Sequence, residues 1–374
     1  MFPITHIVIT GGPAGGKSTL MNDGWLAAEM MKLGVRPFFV PEMATGYFSY
    51  SISDINQISE TDYHRYAHIQ YRMLKDQQEA YLGHQEMAEL FSDQQPCVIF
   101  YDRAEMDTAA YVRRDYFDAM LRDSRLTLED VRDRYDAVIH LRSLADGKPE
   151  LFREISRSNP ARREHDPAVA QQQDLETMYA WIGHPHLRVI DNSTDYEGKR
   201  ERALAAIKRV LGIPTALEIE RGFLLASPID MSHPDLQYAR TIYITQTYLG
   251  TEGKERVRSW QDGDNITHYH TQKPGGYGKV REEINRRISP LEYQQLLATR
   301  DPQRITVKKY RTCVVWGGRY WEIDHFLEPS GGELWKAEIE LDDPDEEVEI
   351  PPFLDVEREV TGDKAFSNGT LSKR

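Results

Sequence analysis

GGPAGGKS, residues 11–18, fits the pattern G-x-x-x-x-G-K-[ST]. The run before it, ITHIVIT (4–10), is compact and β-branched. The run after it, TLMNDGWLAAEMMKLG, reads as helical. Strand, glycines, helix is the context in which this pattern cradles phosphate. Across Gly11, Gly12, Pro13, Ala14, Gly15 and Gly16 the glycines let the backbone curl, so that its N–H groups point at phosphate oxygens. Lys17 adds charge near the β- and γ-phosphates, and Ser18 offers a hydroxyl to Mg²⁺. With Thr19, these residues open a helix whose N-terminus favours an anion. A plain glycine turn is the bland alternative; motif and context together disfavour it.

More short apolar runs follow: VRPFFVPE (35–42), PCVIFYDR (96–103), YDAVIHLR (135–142) and LRVIDN (187–192), with helical stretches between them. Such alternation predicts an α/β domain, a parallel sheet with helices on both faces. Strand ends are where these sheets place chemistry. Asp102 closes one strand and is a candidate Mg²⁺ holder, unless it is a helix cap. Its neighbour Arg103 is a candidate grip on a phosphoryl group. Glu42 closes another strand and is a candidate general base toward an acceptor hydroxyl, unless it is a solvated strand-end acid. Between 150 and 166, Arg153, Arg157, Arg162 and Arg163 read equally as a phosphate-covering lid or as a solvated helix with i,i+4 pairs. No N-K-x-D tetrad of the guanine-reading kind is present.

At 374 residues the chain exceeds what one core usually serves. A helix stop at Gly212-Ile213-Pro214 places a boundary, giving expected domains 1–213 and 214–374. The formal charge of −14 disfavours a general grip on nucleic acid or an anionic membrane. Two distant cysteines, no apolar run of about 18–20 residues and no basic leader point to a cytoplasmic protein without a membrane span.

The second half is strand-rich, with charges spaced by two. LEIERGFLL (217–225) carries Glu218 and Glu220; KERVRSW carries Arg256 and Arg258; GKVREEI carries Lys279, Arg281 and Glu283. VKKYRTCVVW carries Lys309 and Arg311, and LWKAEIELDD carries Glu338 and Glu340. Any single pair reads as a wet strand face. Five together predict a closed antiparallel barrel with charged residues inside. Buried charges need compensation, and a Mg²⁺- or Mn²⁺-bound triphosphate satisfies both signs. His268 and His270 also stand two apart, without a third ligand of matching type. The acidic stretch 342–350 reads as a solvated loop.

Over residues 4–212 the P-loop, FVPEMAT with Glu42 and FYDRAEMD with Asp102-Arg103 resemble AAA-type P-loop proteins of the nucleoside-kinase kind, including the ribosylnicotinamide-kinase domain of a bacterial NAD-biosynthesis regulator. This implies Mg-nucleotide binding and permits phosphoryl transfer. Residues 217–366 resemble the CYTH domains, the triphosphate tunnel metalloenzymes. That resemblance rests on E-x-E at 218–220, Q-T-Y-L at 246–249, R-x-R at 256–258, W-E-I-D-H-F at 321–326 and A-E-I-E at 337–340. It implies metal binding by Glu218, Glu220, Glu283, Asp324, Glu338 and Glu340, and phosphate binding by Arg256, Arg258, Lys273, Arg281, Lys309, Arg311 and Lys364. The family's E-x-E-x-K signature ends here in Gly222, which removes a tunnel charge and weakens the case for hydrolysis. Gly222→Lys is accordingly expected to raise it. The domain order resembles the family of the fly photoreceptor translocation-defect protein, which implies phosphoinositide binding in trafficking. Two functions follow: an ATP- or GTP-using NTPase or kinase with a triphosphate-binding, slowly hydrolysing tunnel, or a nucleotide and phosphate sensor with little catalysis, read by a protein partner.

Overall fold

Five apolar runs form short parallel strands: β1 (Ile4–Thr10), β2 (Arg36–Val40), β3 (Cys97–Asp102), β4 (Ala137–Leu141) and β5 (Leu187–Ile190). They pair in the order β2-β3-β1-β4-β5. The computed structural model describes residues 2–50, 52, 55–158, 164–213, 219–250, 255–272, 284–341 and 347–373. It divides the chain into two compact units, Met1–Ile207 and Lys208–Arg374.

In the first unit β1, β3 and β4 are buried on both sides. Ile7, Val8, Ile9, Val98, Ile99, Phe100, Val138 and Ile139 are all inaccessible, as expected for strands covered by helices on both faces. Long helices are punctuated by identifiable caps. The Asp62 side chain accepts from the Arg65 amide to start the helix Tyr63–Glu89. Asp166 and Pro167 start the helix Pro167–Ala180. Because all five strands run the same way, Thr10, Val40, Asp102 and Leu141 end at one common edge. The register Ile9↔Asp102 sets Asp102 beside the start of the glycine loop.

The described residues of the second unit form nine strands: β6 (Ile219–Leu225), β7 (Arg240–Leu249), β8 (Glu255–Asp262), β9 (Asn265–Gln272), β10 (Ile284–Ile288), β11 (Val307–Trp316), β12 (Arg319–Glu328), β13 (Leu334–Leu341) and β14 (Val356–Glu359). They pair antiparallel in the order β10-β9-β8-β7-β11-β12-β13-β6-β14. Among the described residues no pairing joins β10 to β14, so the described sheet is open at both ends, whereas the sequence reading has it closed.

Register assigns the faces. The pairs Glu340↔Glu220, Glu338↔Gly222, Glu322↔Glu338, Asp324↔Lys336 and Arg311↔Asp324 run across four strands on one face. The pairs Gln246↔Arg258 and Tyr248↔Arg256 carry the same face onward. The opposite face is apolar. Phe223, Leu225, Trp321, Ile323, Ala337 and Ile339 pack there with Ile229, Leu236, Phe353 and Leu354. Farther along, the helix Pro290–Leu297 brings Tyr293 onto Val257 and Ile288. His268 and His270 belong to that second face. His268 stacks on Tyr293 with ring centroids 4.1 Å apart, and His270 pairs in register with Val257.

Trp321 is wholly buried at the centre of the apolar face. Trp321→Ala is expected to destabilise the second unit by about 3–5 kcal/mol. Ile266→Ala, at a strand position 45% exposed, should shift stability by no more than about 0.5 kcal/mol. Urea denaturation followed by tryptophan fluorescence and circular dichroism compares the two.

Candidate functional site

The glycine loop fits its place by backbone proximity. A Cβ on Gly11 would lie 2.1 Å from the Leu141 carbonyl oxygen, and one on Gly12 would lie 2.5 Å from Asp174 Cβ. Gly11 also adopts a φ of 132°, open only to glycine at little cost. After the loop, the helix Lys17–Asn22 begins with the Lys17 side chain folded back. The ammonium of Lys17 donates to the Gly11 and Gly12 carbonyls, each at 2.8 Å. Burial lowers its pKa to about 8, with nearby Arg103 acting the same way and Asp102 and Glu42 opposing. Ser18 and Thr19 are exposed at the first turn of this helix.

Asp102, Arg103 and Glu42 meet at the same edge. Burial raises the Asp102 carboxyl to about 6, and its Oδ1 is buried without a hydrogen-bond partner among the described residues. Arg103 takes a left-handed φ of 68°, uncommon for a side chain of its size. That turn sends its Nε 2.9 Å from Glu42 Oε1 and sets its guanidinium 3.7 Å from Asp107. Burial alone would raise the Glu42 carboxyl; Arg103, the Thr45 hydroxyl and Lys17 outweigh it and hold Glu42 below the ordinary range. Glu42 is thus an ionised acceptor. The orphaned Asp102 oxygen and the open Ser18 hydroxyl are donors of the hard-oxygen type that suits Mg²⁺. Asp107, which accepts from Thr10 and from the Ala104 amide, completes this edge.

Asp174 is the member that sequence reasoning missed. From within the helix Pro167–Ala180 it accepts from the Gly12 amide at 2.6 Å, Arg142 Nε at 2.7 Å, His140 Nε2 at 3.0 Å and the Ser143 amide at 3.1 Å. It is fully buried, which would raise its pKa. His140, Arg142 and the Gly12 amide reverse the sign and hold it well below the ordinary range. Behind it, Lys199 donates to the Arg142 carbonyl at 2.5 Å and to Asn192 at 2.8 Å, and burial lowers its pKa to about 7. The glycine loop is therefore tethered from behind by a carboxylate.

On the charged face of the second unit, Lys309, Arg311 and Asp324 are buried while Lys308 and Tyr310 point to solvent. Asp324 accepts from Lys309 and twice from Arg311, at 2.7 and 2.6 Å. Arg311 also reaches Glu322, and Glu338 at 3.2 Å; Lys336 donates to Glu338. Glu220 stands open to solvent at its rim, yet desolvation by the surrounding protein and a hydrogen bond with Glu338 push its carboxyl up to about 9. Arg258 donates to Asn285 at 3.0 Å, and Arg256 lies two residues away on the same face. Every described like-signed pair lies on this one face by register; the closed barrel expected around them is not shown among the described residues. Among the described residues no three acidic, His or Cys side chains form a group fit to hold a metal ion, and Glu218 and Glu283 of the expected metal set lie outside those residues. Asp324 and Glu338 are instead engaged by cations.

Arg157 is exposed on the helix Pro149–Ser158, and Lys364 is exposed in the 3₁₀ turn Lys364–Phe366. Arg162, Arg163, Glu218, Lys273, Arg281 and Glu283 lie outside the described residues.

A family profile described as an AAA domain matches residues 6–199. Among solved structures the chain is similar to the inorganic triphosphatase NE1496, at 26% identity over 43% of this chain and 97% of that one, with a TM-score of 0.30. A second structure of NE1496, there termed a hypothetical protein, gives 27% identity over 42% and 99% with a TM-score of 0.31. A putative adenylate cyclase from Bacillus halodurans gives 15% identity over 34% and 82% with a TM-score of 0.26. No curated protein sequence matches the chain.

Asp324→Asn leaves two buried cations short of charge and is expected to cost about 3–5 kcal/mol. Glu359→Gln, which breaks a more exposed pair with Arg221, should cost at most about 1 kcal/mol. Asp174 and Asp324 are both held below the ordinary aspartate range. Their stabilisation is therefore complete above about pH 4 and is lost as the pH falls through their folded values. Denaturant midpoints measured from neutral to acid pH should show this limb, shallower in Asp324→Asn.

Proposed function

The chain belongs to the AAA domain family, and from that premise we propose that its first unit binds Mg-ATP or Mg-GTP and hydrolyses or transfers the γ-phosphoryl group. The observation that carries this is Lys17, held among the described residues by two neutral carbonyls, beside an Asp102 oxygen with no hydrogen-bond partner among them. Swinging from those carbonyls to a phosphate exchanges a dipole partner for an anion. Ser18 and Asp102 would hold Mg²⁺, which supplies charge to the β- and γ-phosphates when bound. Glu42 is ionised and placed to accept the proton of an attacking hydroxyl or water. As the new P–O bond forms, the β–γ bridging bond breaks and the nucleoside diphosphate leaves. Arg103, anchored on Glu42, orients it; Arg157, with Arg162 and Arg163 from the sequence pattern, would close over the phosphates.

For the second unit we propose a binding face for a triphosphate or polyphosphate group, carried by Arg256, Arg258, Lys309 and Arg311. Lys273, Arg281 and Lys364 join them from the sequence pattern. A divalent cation there falls to Glu218, Glu220, Glu283 and Glu340. A phosphoinositide headgroup has the same chemistry. One observation favours a second reading, a sensor with little turnover: Asp324 and Glu338 already engage Lys309 and Arg311. Sustained phosphate release from ATP, GTP or tripolyphosphate with Mg²⁺ or Mn²⁺ decides for the enzyme; binding without release decides for the sensor.

Lys17→Ala is expected to abolish ATP binding while sparing tripolyphosphate binding by the second unit; Arg256→Ala with Arg258→Ala should do the reverse. Because Lys17 titrates near 8 when free and is raised by a bound polyphosphate, wild-type binding should take up protons and weaken as the pH climbs above about 8. Calorimetry in buffers of different ionisation enthalpy measures both. Equal losses at the two sites, or no proton uptake, count against the assignment.

A further inference from the structure

The charged face of β6 carries Glu220, Gly222 and Leu224 in succession. A glycine inside a strand packs nothing and often marks a place where another group comes close. That group is Lys336. A Cβ built on Gly222 would lie 3.1 Å from Lys336 Cε, 3.7 Å from its Nζ and 3.6 Å from Val360 Cγ2. Lys336 sits on the neighbouring strand, in register with Leu224, while Gly222 is in register with Glu338. The Lys336 side chain therefore runs along β13 toward Glu338, across the bare backbone of Gly222, and its ammonium donates to Glu338 Oε1. Its side chain is only 12% exposed. Arg311 donates to the other Glu338 oxygen at 3.2 Å, so the two cations flank one carboxylate on the face assigned to phosphate.

The positive charge that β6 lacks at position 222 is thus supplied by β13. We propose that Lys336 is a phosphate-binding residue of this face, taking through the gap at Gly222 the place that a lysine at 222 would occupy. This rests on the polyphosphate reading of the second unit. It overturns the expectation attached to Gly222 alone. Gly222→Lys would not restore a missing group; its Cβ would crowd the Lys336 chain and set a second ammonium beside the first. Phosphate binding should instead depend on one lysine at this place, whichever strand provides it.

The test is tripolyphosphate titration of the full chain by calorimetry with Mg²⁺ present throughout, with circular dichroism to confirm folding. Lys336→Met keeps the methylenes that cover Gly222 and removes the charge; it should weaken binding about tenfold. Lys336→Arg should retain binding. Gly222→Lys should not strengthen it. The swap Gly222→Lys with Lys336→Ala should return affinity to within about threefold of wild type. Wild-type affinity in Lys336→Met, a swap as weak as Lys336→Met, or tighter binding by Gly222→Lys alone overturns the proposal. If Arg256→Ala with Arg258→Ala weakens binding and Lys336→Met does not, the inference fails alone. If the wild-type protein does not bind tripolyphosphate, the reading of the face fails and takes the inference with it.

Discussion

A carboxylate withdrawn from water must find its countercharges in the protein, and each unit of this chain is arranged around one such group. In the first unit it is Asp174, which gathers His140, Arg142 and two backbone amides behind the glycine loop. In the second it is Asp324, which gathers Lys309 and Arg311 at the middle of an antiparallel sheet. Removing either acid would leave cations buried together. The positions of the loop and of the charged face follow from satisfying these two aspartates.

The constraint shapes the surroundings. Because Asp174 takes the Gly12 amide, the loop must approach the helix Pro167–Ala180 so closely that no side chain fits at 12. Asp324, Lys309 and Arg311 occupy one face of β11 and β12, with Val307 and Phe326 beside them, and the opposite face carries Val314, Trp321 and Ile323. Trp321 and Ile323 there build the core with Phe353 and Leu354. In a half-buried sheet the charged side usually faces water. Here the pattern at Lys309–Arg311 is inverted: charged positions are covered and Tyr310 between them is 43% exposed.

Much of this was legible in the sequence because it is local. The P-loop is eight consecutive residues, and its lysine could only sit at the head of the following helix. Period-two charges report a shared strand face wherever a strand forms, so Lys309, Arg311, Glu338 and Glu340 could be grouped before any pairing was known. Asp174 was not legible: it lies 162 residues from Gly12, in a helix whose sequence AQQQDLET gives no sign of a tether. Lys336 was hidden for a related reason. Period two groups it with Glu338, but only the register of β13 on β6 shows that it lies over Gly222. Sequence patterns name the members of a face; strand register decides which of them touch.

The two proposed sites differ in what a phosphate would have to displace. At the glycine loop, Lys17 rests on carbonyl dipoles, so an arriving polyphosphate offers it a full negative charge in exchange for two partial ones. On the sheet, Lys309, Arg311 and Lys336 already hold carboxylates, and drawing them onto a phosphate would strip Asp324 and Glu338 of their partners. Binding there must supply positive charge along with negative, as a cation or as protons taken up by the acids. Glu220 and Glu338, joined by a hydrogen bond, are where such positive charge is already in demand. On the proposed reading the first site would make a bare exchange of partners, while the second would favour a ligand that arrives with its charge largely cancelled.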